Sequence, residues 1–172
     1  MLGYSSILKT NPKFSNIAKS LFTALEQHVE EYCLFDGGKD IWARDYMPIK
    51  NKSGKYISFK YEPSYLKGHE EIKTDFKTDI SPFLDISVIY SNINLDGGNV
   101  VFSASKEKAI ISDRVFSEND ITQREQFVKK LEKLLETEII IIPSLKIDLT
   151  GHADGMVRFI DESTVIGNAT IL

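Results

Sequence analysis

The segment DLTGHADGMVRF, Asp148 to Phe159, sets a histidine two residues from an acid, behind a glycine and ahead of an apolar run. In extended backbone, residues i and i+2 face the same side. His152 and Asp154 could therefore send a proton carrier and a carboxylate into one pocket. The plain alternative is a solvated turn at the start of a strand. DIWARDYMPI offers related chemistry, with Trp42 and Asp45 near the start of a hairpin and Arg44 expected on the opposite side of an extended chain. An aromatic wall and a carboxylate suit a planar cation, because a buried carboxylate is costly unless paired. The same residues also read as a core tryptophan and a surface ion pair. NLDGGNV places Asp96 before two glycines. That is a hairpin-turn signal, or a site where glycines admit close backbone approach and Asp96 orients an imidazole.

These residues need elements to hold them. Asn11-Pro12 predicts a helix start, and Ile17, Leu21, Leu25 and Val29, with Ala18 and Phe22, predict an amphipathic helix to about Glu31. YCLF reads as a strand ended by Asp36-Gly37-Gly38, and MPIKNKSGKYISFKY as a hairpin turning at residues 51–54. Residues 64–82 are polar and carry no clear period. ISVIY reads as a buried-type strand, NVVFS and AIISD as further strands, and EIIIIP as a strand buried on both faces. A helix is expected to start within residues 117–120 and to bury Phe127, Val128, Leu131, Leu134 and Leu135. MVRFI and STVIGNA predict a closing hairpin around Asp161-Glu162. Interleaved strands and helices with no linker indicate one α/β domain. LFDGG at 34–38 echoes NLDGG at 94–98, and Asp45, Asp96 and Asp154 recur roughly every 50–60 residues, a period that suits repeated supersecondary units.

The 172 residues suffice for one sizeable core. A net charge of −4 argues against a nucleic acid or an anionic membrane as partner and suits a cationic ligand. No apolar run approaches a membrane span and the first residues have no signal-peptide pattern. The single cysteine, Cys33, leaves no internal disulfide and no cysteine-based zinc site, so a cytoplasmic location is expected.

Together DIWARDYMPI, LDGGNV and DLTGHADGMVRF resemble the agmatine deiminase family, which includes the bacterial peptidylarginine deiminases, within the guanidino-modifying pentein superfamily. The resemblance runs from about Cys33 to the last residue. It implies a five-bladed α/β propeller of ββαβ units, of which about three would fit in this chain. It implies that Asp45 and Asp154 grip the guanidinium, that His152 protonates departing ammonia and later deprotonates water, that Asp96 holds the imidazole, and that Trp42 flanks the substrate. Members more often carry Glu where this chain has Asp96, so a changed reach to His152 is expected. The implied reaction converts agmatine to N-carbamoylputrescine and ammonia, feeding putrescine synthesis, without cofactor or metal. Peptidylarginine is the alternative substrate.

The resemblance also calls for a cysteine nucleophile in a GGxxHC-like segment, which this sequence does not contain. It stops at STVIGNATIL, inside what reads as a strand, so residues 1–172 are expected to form an incomplete pentein domain, inactive alone. Cys33, in an apolar strand, reads as a buried inert thiol, and His28 and His69 read as solvated. Removed neighbours would leave apolar flanks exposed, and a homo-oligomer through residues 164–172 or the opposite face is expected. A non-catalytic guanidinium-binding or interaction module is the rival reading. A metal site on His152, Asp154 and Asp96 is a third, with no second histidine placed to join them.

Overall fold

Asn11 caps a 3-10 turn (Pro12–Phe14) that leads into the first long helix, which itself starts at Ser15. In the computed structural model, which describes residues 2–29 and 31–168, strand β1 (Leu2–Ser5) leads through one turn, α1 (Ile7–Thr10), and a 3-10 turn into α2 (Ser15–His28). The Asn11 side chain accepts the Lys13 N–H at 3.0 Å, satisfying a donor the helix itself cannot. Ala18, Phe22 and Leu25 are buried as the periodicity requires. Ile17, expected beside them, is 65% exposed, since at about 100° per residue it falls at the margin of that stripe. Strand β2 (Tyr32–Phe35) pairs parallel with β1, so α2 is a crossover connection.

One helical turn, α3 (Ala43–Tyr46), precedes the hairpin of β3 (Ile49–Lys50) and β4 (Tyr56–Lys60). Asn51 closes the hairpin turn, its side chain accepting from Lys55 N–H at 2.8 Å and donating to the Leu134 carbonyl at 3.2 Å. Residues 64–83 coil through short 3-10 and π turns before β5 (Val88–Asn94). A second hairpin, β6 (Val100–Phe102) and β7 (Lys108–Ser112), is followed by the short α4 (Arg114–Ser117), then α5 (Arg124–Leu135) and β8 (Glu138–Ile142). The last hairpin is β9 (Val157–Phe159) with β10 (Val165–Gly167).

Two sheets repeat one plan. In β3-β4-β5 and in β6-β7-β8, an antiparallel hairpin is followed by a return strand parallel to its second strand. Ile49, Ile57, Phe59, Val100 and Ile111 from these sheets, with Leu95 just after β5, pack with Phe127, Leu131 and Leu135 of α5 in one core. Each such side chain fully buried contributes roughly 1.5–3 kcal/mol.

Three expectations fail for local or positional reasons. The long helix does not start at residues 117–120. Ser117 Oγ donates back to the Arg114 carbonyl at 2.9 Å, closing α4, and Asp120 takes a left-handed φ of 50° that breaks the helical path. ISVIY is not buried throughout, because β5 is an edge strand with Ile89 and Tyr90 nearly half exposed. EIIIIP is also at an edge: Ile139 and Ile141 pack into the main core, while on the other face Ile140 is exposed and Ile142 half-buried against Val101 and Ile110.

Candidate active site

Asp45 rides on α3, a single turn anchored from below by Tyr46. That ring is 2% exposed, and its hydroxyl donates to the Asp40 carbonyl at 3.1 Å. Asp40 in turn accepts the Trp42 N–H at 2.9 Å. The segment is helical rather than extended, so Arg44 is not directed away. It lines the same cleft as Asp45 while donating Nη2 to the Val100 carbonyl at 2.6 Å.

The Asp-Gly-Gly-Asn segment is a 3-10 turn (Gly97–Asn99) pressed against α3, not a hairpin turn. A Cβ on Gly97 would lie 1.9 Å from the Arg44 carbonyl oxygen, and one on Gly98 would lie 2.5 Å from Asp45 Oδ1 and 2.6 Å from His152 Nδ1. Only glycine permits this approach. Gly98 uses it to donate its N–H to Asp45 Oδ1 at 2.9 Å. Asn99, 3% exposed, accepts from both Ser112 N–H at 2.9 Å and Ala153 N–H at 3.1 Å, tying β7 to the histidine segment.

His152 and Asp154 share the cleft through a turn rather than a strand. Asp148 accepts the Thr150 and Gly151 N–H groups at 2.8 and 3.2 Å, Gly151 takes a φ of 58°, and a 3-10 turn (Ala153–Gly155) follows. His152 Nε2–H donates to Asp96 Oδ2 at 2.7 Å, so the shorter carboxylate reaches the imidazole. Its Nδ1 then faces Asp45 Oδ1 at 3.7 Å. Burial pulls the imidazolium down, but the Asp96 hydrogen bond and the charges of Asp96, Asp45 and Asp154 outweigh it and raise His152 above its ordinary value. Burial likewise pushes the Asp45 carboxyl up to about 6; nearby His152 opposes that shift and Asp96 adds to it.

The resulting cleft has a volume of about 860 Å³. Asp45, His152, Asp154 and a 65% exposed Trp42 line it, and Asp96 stands behind the imidazole at 7% exposure. Sequence reasoning missed Tyr65, Asn99, Asp40 and His69. Asn99 lay inside a quoted motif, whereas Tyr65 lay in the patternless segment. His69 is exposed as expected yet stands at the rim of the cleft; His28 is exposed on α2. Cys33 is half-buried in β2 and is not among the cleft-lining residues. Among the described residues no group of three or more His, Cys, Asp or Glu side chains is placed to hold a metal ion, and no helix is long and apolar enough to cross a membrane.

The model of the Porphyromonas-type peptidyl-arginine deiminase family matches residues 8–170. The chain belongs to that family. No curated protein matches it. Among solved structures, C. jejuni agmatine deiminase is 20% identical with a TM-score of 0.63, over 96% of this chain and 58% of its own. A cysteine-to-serine variant of that enzyme with substrate bound is 17% identical with a TM-score of 0.65, over 96% and 60%. The DDAH of Pseudomonas aeruginosa, a cysteine-to-serine mutant complexed with citrulline, is 10% identical with a TM-score of 0.56, over 92% and 61%. At these identities the likeness shows a shared mixed α/β fold, that of the pentein deiminases. This member of the deiminase family spans about three-fifths of the length of those chains.

Proposed function

We propose that this cleft handles a guanidinium group in an agmatine deiminase-type hydrolysis. The observation that carries the reading is the convergence of Asp45, Asp154 and His152, the last backed by Asp96. Two carboxylates match the planar fork of N–H donors on a guanidinium. They also explain why a half-enclosed cleft would hold several acids, since a cation relieves their mutual repulsion. Trp42 flanks the substrate at the rim.

In the proposed reaction a cysteine thiolate adds to the guanidinium carbon. His152 protonates the departing nitrogen, ammonia leaves, and an amidino thioether remains. Water, deprotonated by His152, then adds to the same carbon and expels the thiolate, giving the ureido product. The cysteine-to-serine variants of the C. jejuni and P. aeruginosa enzymes support a cysteine in that role. Cys33 is half-buried and not among the cleft-lining residues, so this reading does not give it the nucleophile's role. The two matching sheets would then be two blades of a five-bladed ring, in a cytoplasmic protein needing no cofactor.

Agmatine is the proposed substrate. Peptidylarginine is the second reading, favoured by a groove of about 920 Å³ that adjoins the cleft at Asp40, Trp42 and Ile72 and continues along Ile7, Pro12 and Phe14. The test measures agmatine, an arginine amide and putrescine binding to the chain, and ureido product after prolonged incubation. Agmatine should bind at least about tenfold more tightly than putrescine, as expected for charge-assisted contacts. Equal binding would remove the guanidinium reading. Turnover by the chain that survives Cys33→Ala would overturn the cysteine mechanism.

A further inference from the structure

Asp96 Oδ2 serves two donors. His152 Nε2 lies 2.7 Å away and the Tyr65 hydroxyl donates to the same oxygen from 3.0 Å. The Tyr65 ring also meets the imidazole edge to face, with centroids 6.1 Å apart. Tyr65 belongs to the Ser64–Leu66 turn, which is fastened from two directions. Glu118 accepts from Ser64 N–H at 2.9 Å and from its hydroxyl at 2.7 Å. Arg114 binds Glu118 at 3.0 Å, donates to Ser64 Oγ at 3.1 Å and to the Leu149 carbonyl at 2.7 Å, and sets its guanidinium over the Tyr65 ring at 5.3 Å. The turn carrying Tyr65 and the segment leading to His152 are therefore tied to one arginine.

We propose that Tyr65 is a positioning residue, whose hydroxyl shares the Asp96 carboxylate with His152 and so sets the proton affinity and orientation of the imidazole. The inference rests on reading His152 as the proton carrier of the cleft. A carboxylate oxygen that already accepts one hydrogen bond has less electron density to offer a second donor. The phenol stays a donor, because burial and the Asp96 charge both push its ionisation upward. Other groups also act on His152: Asp45 from α3, Asp148 and Asp154 from its own segment, and Asp96 itself. Among the described cleft-lining side chains, Tyr65 is the one besides His152 that is bonded to Asp96.

The test follows the His152 C2 proton by NMR across pH in the 172-residue chain. Tyr65→Phe should raise the His152 midpoint, because the undivided Asp96 carboxylate then holds the imidazolium more strongly. Replacing Tyr65 by 3-fluorotyrosine, a stronger donor of the same shape, should lower it. Opposite displacements in the two variants support the proposal. An unmoved midpoint in the fluorotyrosine protein overturns it, and so does a fall in Tyr65→Phe. If Tyr65→Phe does not fold, the fluorotyrosine protein alone decides. The measurement needs no substrate, so failure to bind agmatine would count against the deiminase reading and leave this one standing.

Discussion

Gly98 donates its backbone N–H to Asp45 Oδ1 at 2.9 Å, across 53 positions of sequence, with His152 Nδ1 on the same side of the glycine. The contact leaves no room for a side chain. Gly98→Ala should push Asp45 and His152 apart and destabilise the fold by about 1–3 kcal/mol, as overpacking does. Thermal unfolding and the position of the His152 imidazole resonance check this together. An alanine variant with both unchanged would mean the turn yields freely.

Asp45 should cost stability. Its carboxyl is held at about 6 against an ordinary 3.8, which at roughly 1.4 kcal/mol per pH unit amounts to about 3 kcal/mol when fully expressed. Below pH 3.8 the group is protonated in both states and has no effect. Between 3.8 and about 6 the folded chain keeps a proton that the unfolded chain releases, so stability falls as pH rises. Asp45→Asn should therefore raise the melting temperature at pH 7.5 and change little at pH 4. Calorimetry at the two pH values decides it. A variant destabilised at pH 7.5 would show that the buried charge is already compensated.

His152 should add a second decline. Its folded value is raised, so its contribution is complete below the ordinary 6.5 and is lost as pH climbs through the raised value. A stability loss above pH 6.5 should persist in Asp45→Asn and shrink in Asp96→Asn, measured by the same calorimetry.

If Asp45 grips the guanidinium as proposed, agmatine binding should strengthen as pH rises to about 6 and release a proton there, because the grip needs an ionised carboxylate. Titration calorimetry in two buffers of different ionisation enthalpy measures the proton count. Asp45→Asn should weaken binding at pH 7.5 by about tenfold or more and abolish the proton release near pH 6. Retained release in that variant would assign the titrating group elsewhere.

Among the described residues strand β10 pairs only with β9, and Ile160, Val165 and Ile166 around it are 40–65% exposed. Such an edge favours association. Ile166→Lys should lower the association state seen by sedimentation across a dilution series, and a wild-type chain that stays monomeric at high concentration would refute the expectation. Ile171, on the same expected surface, lies outside the described residues.

Residue type and spacing singled out Trp42, Asp45, Asp96, His152 and Asp154 as able to do chemistry; that four of them line one cleft with Asp96 behind the imidazole was decided by the fold. Strands β3, β4, β6, β7, β9 and β10 were legible because turn residues and alternation are local signals. Other features depended on contacts between distant segments. The exposure of β5 and β8 followed from their places at sheet edges, which no run of isoleucines reveals. The convergence of His152 and Asp154 came from a 3-10 turn ordered by Asp148, not from an extended strand. Tyr65 joined the site only because a patternless polar segment is fastened by Glu118 and Arg114. Sequence by itself determined which chemistry was present. Tertiary structure decided which carboxylate holds the histidine, which is buried enough to titrate near 6, and which tyrosine stands beside them, since burial and charge proximity are properties of packed neighbours rather than of residues.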